Sequence, residues 1–184
     1  MRTSQWTLTA ALVAATTVCA ADEGATMKIT SHAFDSMGSI PAKYTCQGAD
    51  TSPPLAFSGL PEGTKSLALI VDDPDAPDPK APKMTWVHWV LYDMPLAALA
   101  EGAAKGGLPA GTREGKNDWK RTGWGGPCPP IGRHRYFFKL YALDTTLGDL
   151  HEPTKAALEA AMAGQSWRGP SWSGPTRSRS KRVY

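Results

Sequence analysis

The chain has 184 residues, 41% of them hydrophobic, with 18 glycines and 16 prolines, a composition that favours one loop-rich β domain over a helical bundle. Its formal charge of +3 is unevenly spread: residues 165–184 hold five bases and no acid, whereas 21–164 hold 14 bases against 17 acids. A body with that balance gives no basis for nucleic-acid binding.

Residues 1–20 read as an export signal. Arg2 supplies a positive start, Leu8 to Val18 an apolar stretch, and Val18-Cys19-Ala20 a small-residue cleavage site. The competing lipoprotein signal fits "TTVC" poorly, and the stretch is too short to cross a bilayer, so no transmembrane segment is predicted. The protein is therefore expected to be periplasmic or secreted. With Cys19 gone, Cys46 and Cys128 remain in an oxidising compartment. They form either a disulfide or two buried thiols, because their separation cannot be read from the sequence.

Along the mature chain, "MKITSHAF" alternates as a short strand. Ser66 to Val71 reads as a buried strand followed by a proline-punctuated loop, and Thr85 to Pro95 as a strand of β-branched and aromatic residues. Residues 97–116, rich in alanine, glycine and lysine, read as a surface loop. Arg135 to Asp144 is the longest β-type run, with Tyr136, Phe138, Leu140 and Ala142 on one face. "EPTKAALEAAMAG" is a helix, with Pro153 near its first turn and Gly164 as its stop. Strands first and a helix late predict an antiparallel β core with a small helical appendage.

Two clusters carry candidate chemistry. "DDPDAP" (Asp72 to Pro77) places three carboxylates within four residues, either as a solvated turn capping its own amides or as a stiff binding loop. "GPCPPIGRHRY" (Gly126 to Tyr136) sets rigid turn residues before a polar His-Arg-Tyr at the head of a strand. Of four histidines, His32 and His151 sit in polar surroundings near element ends. His88 lies in the apolar "WVHWV", where strand alternation groups it with Trp86 and Val90, and His134 follows the glycine- and proline-rich turn.

In order and approximate spacing, "DPDAP", "WVHW" and "GPCPPIGRHRY" resemble the signature of the phosphatidylethanolamine-binding proteins. "YTCQG" and "HRYFFKLYALD" are similar to the bacterial branch described as Raf kinase inhibitor-like, over about residues 27–164. The resemblance implies a mainly β fold, a large antiparallel sheet packed with a smaller one, and a few short helices, one near the C-terminus. It also implies a small cavity for anions such as phosphate, acetate or a phospholipid headgroup, at Asp73, Asp75, His88, Gly126, Pro127, His134 and Tyr136. Cys128 stands where other branches usually have a second proline. In this reading, imidazolium groups and backbone N–H groups near Gly126 receive phosphate oxygens, with Tyr136 as a further donor. Asp73 and Asp75 orient the histidines or accept from an ammonium group.

The leading expectation is an exported binding module for a small anionic or phospholipid-like ligand, modulating a protein partner, with no catalytic residue, metal or cofactor. The kinase named in the family label is not carried over to an exported protein. The rival is a metal-dependent or His/Asp phosphoester hydrolase, but the chain has no HExxH, nucleophile elbow or two-cysteine metal spacing.

The tail breaks with this pattern. After the helix, residues 165–184 hold two tryptophans, five bases and one aliphatic residue, Val183. Bacterial relatives continue with a Gly-His-Val-Leu-Ala pattern that forms a closing strand. Restoring one base after codon 164 converts a back-translation of this tail into that pattern, which points to a shifted reading frame, a missing closing strand and poor packing. The alternative is a disordered basic arm for an acidic surface. Resequencing across codon 164 separates the two.

Overall fold

The run Leu67–Val71 has apolar side chains on both faces, which suits a strand covered on both sides. In the computed structural model, which describes residues 27–163 and the backbone of 167–179, this run lies in the middle strand of a five-stranded antiparallel sheet. The strands are β1 (Lys28–Thr30), β2 (Ala56–Ser58), β3 (Ser66–Ala76), β4 (Met84–Met94), β5 (Arg113–Glu114), β6 (Arg133–Leu143) and β7 (Trp167–Arg179). The large sheet has the order β5-β4-β3-β6-β7, and β1 pairs with β2 in a separate two-stranded sheet. The helix α1 (Lys155–Ala163) follows β6. The expected export signal, residues 1–20, lies outside the described residues.

Each face of the large sheet has its own core. Leu67, Leu69, Val71, Trp89, Leu91, Tyr136, Phe138 and Leu140 pack towards Ile29 and Phe57 of the small sheet. Ala68, Ile70, Val87, Val90 and Tyr92 pack against Leu158 and Met162 of α1. This is the mainly β architecture the sequence leads one to expect. The segment 97–116 departs from a simple surface loop, because Leu99 and Ala103 are buried and Arg113–Glu114 pairs with β4.

The proline-punctuated loop expected after Val71 is corrected to strand. β3 continues through Asp72, Asp73, Pro74 and Asp75 to Ala76, with all three aspartates buried. Burial of three carboxylates is tolerated because each has a partner from β6. Asp72 takes Lys139 at 2.7 Å, and also Lys155 of α1. Asp73 takes His134, and Asp75 takes Arg135. Pro74, which has no N–H to give a ladder, falls where the pairing slips, between Asp73↔Trp86 and Ala76↔Met84.

A second slip matters more. Val71 pairs with Trp89 and Asp72 with Val87, which leaves His88 as an extra residue in β4. This is a β-bulge, which turns two successive side chains to the same face. His88 and Trp89 both lie on the small-sheet side, while Val90 goes to the α1 side. Strand alternation alone, which groups His88 with Val90, is corrected by that bulge.

The closing strand expected to be missing is present as backbone. Trp167–Arg179 pairs antiparallel with β6 from Leu143↔Trp167 to Arg133↔Arg179. The free edge of β6 offers N–H and C=O groups that any backbone can satisfy. The dipeptides Gly169-Pro170 and Gly174-Pro175 both fall in register slips, where proline's missing donor is not needed. Residues 164–166 and 180–184 lie outside the described residues, as do the tail side chains whose packing was in question.

Candidate functional site

A cavity of about 440 Å³ opens beside the bulge. β3 contributes Asp73 and Ala76, β4 contributes Met84, Trp86 and His88, and β6 contributes His134 and Tyr136. The remaining wall is Pro77, Trp119 and the run Cys128, Pro129 and Pro130. Of the seven residues singled out in the sequence, Asp73, His88, His134 and Tyr136 line this cavity. Asp75, Gly126 and Pro127 do not.

Those three act behind the wall. Asp75 accepts the Arg135 guanidinium on both carboxylate oxygens, at 2.6 and 2.9 Å, and also the Arg135 N–H at 2.9 Å. The guanidinium holds the Asp75 carboxyl below the usual carboxylate range. The Gly126 N–H, expected to face an anion, instead donates to Asp50 Oδ1 at 2.8 Å. The Pro127 carbonyl accepts from the Cys46 N–H at 3.2 Å. The same turn is tied covalently, because Cys46 and Cys128 form a disulfide with a Cα separation of 5.5 Å. Of the two states left open by the sequence, the structure has the bonded one.

A Cβ on Gly126 would lie 2.2 Å from Asp50 Oδ1 and 2.7 Å from the Tyr44 carbonyl. Gly126→Ala is therefore expected to destabilise the fold by about 2 kcal/mol through overpacking. Urea denaturation measures this, and an unchanged midpoint would show that the turn yields freely.

The two histidines are held differently. His134 has both ring nitrogens engaged, Nδ1 with Asp73 Oδ2 at 2.7 Å and Nε2 with the Ile131 carbonyl at 3.0 Å. A carbonyl only accepts, so Nε2 carries a proton, and Nδ1 and Asp73 share another. Asp73 Oδ1 accepts the Asp75 N–H at 2.8 Å. Burial pushes the Asp73 carboxyl up, against the lowering effect of His134 and that amide. His88 is clasped to Gly125: its Nδ1 lies 2.6 Å from the Gly125 carbonyl, and the Gly125 N–H donates to the His88 carbonyl at 3.1 Å. Burial pulls the His88 imidazole down to about 4, which leaves it neutral at pH 7. The imidazolium expected at His88 is thus corrected to a neutral ring.

Sequence reasoning missed Trp119 and Asp50. Trp119 packs edge-on against Trp86 at 5.4 Å and His88 at 5.2 Å between ring centroids. It sits on a loop stapled by Asn117, whose Oδ1 accepts the Trp119 and Arg121 N–H groups. A Cβ on Gly125 would lie 2.4 Å from the Trp119 ring, so the loop needs a glycine there. No periodicity marks a loop tryptophan; its only signal was an apolar ring in the polar stretch "KNDWKR". Asp50 acts 76 residues from its partner. Among the described residues no cluster of three or more His, Cys, Asp or Glu side chains is arranged to hold a metal ion.

Comparison with known proteins adds a lineage to this geometry. The sequence profile described as "Phosphatidylethanolamine-binding protein" matches residues 30–174. A UPF0098 protein of Methanothermobacter thermautotrophicus is 46% identical over 147 residues, 76% of this chain and 94% of its own length. The crystal structure of Escherichia coli YbcL, described as a member of the mammalian PEBP family, superposes with a TM-score of 0.75 at 30% identity, covering 85% of this chain and all of YbcL. A PEBP homologue of Chlamydia trachomatis gives 0.72 at 37% identity, covering 86% of this chain and 99% of the homologue.

Proposed function

The chain belongs to the phosphatidylethanolamine-binding protein family, and on that premise we propose that it is an exported binding module whose cavity takes a small phosphate-bearing ligand of the phospholipid-headgroup kind. The observation that carries this reading is a cavity of about 440 Å³ whose lining includes two buried polar atoms, His88 Nε2 and Trp86 Nε1, without partners among the described residues. Buried polar atoms are normally paired, so an unpaired set in a cavity supports a ligand that pairs them. The Cys46–Cys128 disulfide supports an oxidising compartment. Exposed Met84, Trp119 and Ile131 support a protein partner whose contact the ligand modulates.

Titration calorimetry with phosphoethanolamine and with phenyl phosphate tests the ligand class, and one-to-one binding is expected. Native mass spectrometry of protein recovered from its own periplasm should show a retained phosphate-bearing molecule. Trp119→Ala removes a wall that is 40% exposed, so it should weaken binding by about tenfold or more with little change in stability. Absence of binding by both ligands would remove the proposal, and recovery of the protein only from the cytoplasm would remove its export.

A further inference from the structure

His88 meets the cavity as an acceptor. Its Nδ1 faces the Gly125 carbonyl at 2.6 Å, which can only accept, so the neutral ring carries its proton there and presents a lone pair at Nε2. That Nε2 is buried and has no partner among the described residues. Trp86 Nε1, a donor only, is in the same condition on the next lining residue of β4. Among the described residues no lysine or arginine lines the cavity, and the one carboxylate, Asp73, already shares a proton with His134. A ligand matched to this lining brings one donor and one acceptor, and adds little negative charge beside Asp73. Each unmatched atom would otherwise carry its desolvation penalty uncompensated.

We propose that the cavity selects a hydrogen-bearing oxyanion, a phosphomonoester in its monoanionic form, over an oxyanion that carries no proton, such as a sulfate monoester. The P–OH donates to His88 Nε2, and a phosphoryl oxygen accepts from Trp86 Nε1. This rests on the cavity being a site for a phosphate-type ligand. The groups around His88 bear on its charge from several elements. Asp72 of β3 and Asp118 favour the imidazolium, and His134 of β6 opposes it. Asp73 lines the same cavity, and the rings of Trp119 and Tyr136 stand edge-on at 5.2 and 5.1 Å. A site built around an acceptor rejects a ligand that lacks the donor far more strongly than one that differs in bulk.

Phenyl phosphate and phenyl sulfate share a body, and near pH 5 both are monoanions, but only the phosphate has a proton to donate. Calorimetry on the wild-type protein at about pH 5 is expected to show phenyl phosphate bound at least about tenfold more tightly. Its affinity should stay level from about pH 4.5 to 5.5 and then fall about tenfold per pH unit above about 6, where a phosphomonoester loses its second proton. Repeating the titration in two buffers of different ionisation enthalpy should show no net proton uptake with phenyl phosphate at about pH 5. His88→Phe should bring the two ligands within about threefold of each other, and the wild-type measurements decide the matter if that variant does not fold. Phenyl sulfate binding within about threefold of phenyl phosphate in the wild type would overturn the proposal. So would an affinity for phenyl phosphate that falls steadily through about pH 4.5 to 5.5 with uptake of one proton, the mark of an imidazolium site. Binding of neither ligand would overturn the phosphate site itself and this inference with it, whereas equal binding would leave the site standing.

Discussion

Replacing Cys46 and Cys128 together with alanine is expected to cost the protein about 4.5 kcal/mol of stability, the value for a closed loop of this length in the chain-entropy account. The bond spans a sequence separation of 82 residues and joins the Thr45–Gly48 turn to the cavity wall. Against a typical total of about 5–15 kcal/mol, that leaves a marginal domain. The cavity should survive in whatever remains folded, because two non-covalent ties hold the same turn: Gly126 N–H to Asp50, and Cys46 N–H to the Pro127 carbonyl. Urea denaturation of oxidised wild type, dithiol-reduced wild type and the double variant measures the effect. The last two should shift together to lower urea at similar slopes. A double variant within about 1 kcal/mol of the oxidised protein would show that the turn is fixed without its covalent link.

Acid should weaken the protein through His88. Burial lowers its folded-state value from 6.5 to about 4. Above pH 6.5 the ring is neutral in both states and costs nothing. Below 6.5 the unfolded chain takes up a proton that the folded protein refuses, so stability present above the unfolded value is lost as pH falls towards about 4. The loss runs at about 1.4 kcal/mol per pH unit, about 3 kcal/mol over that range. Asp75 does not confuse the window. Arg135 lowers its carboxyl, so its contribution is held above the unfolded value of 3.8 and fades only as pH falls through the lower folded one. Wild type and His88→Gln compared in urea at pH 7 and about pH 4.5 isolate the effect, with wild type losing about 2.5 kcal/mol more than the variant. Equal losses in both proteins would mean that the buried ring gains a proton without penalty.

The three long strands were legible because their apolar and β-branched runs leave little alternative, as at Leu67–Val71 and Arg133–Leu143. The far end of β3 was not. A sequence presents Asp72, Asp73 and Asp75 as solvent-seeking, and the bases that allow their burial lie some 60 to 83 residues away, at His134, Arg135, Lys139 and Lys155. β5 is only two residues long, too short for any period. β7 is held at slips that hide its glycine–proline pairs, so its composition argued against the pairing its backbone makes. At the cavity, motif resemblance led to Asp73, His88, His134 and Tyr136, whose side chains line it. Asp75, Gly126 and Pro127 fall outside the lining, engaged by Arg135, Asp50 and Cys46 in turn, and the last two partners lie outside the local motif.

The bulge in β4 separates what completes the sheet from what lines the cavity. His88 is the one residue of that stretch with no counterpart on β3, since Trp89 and Val87 already answer Val71 and Asp72 in turn. A chain lacking it would keep an uninterrupted ladder there, with Trp89 still facing the small sheet and Val87 still facing the helix. This part of the cavity wall is in that sense an insertion into an otherwise complete sheet. Deleting that one residue would take away a wall of the cavity without rebuilding either core.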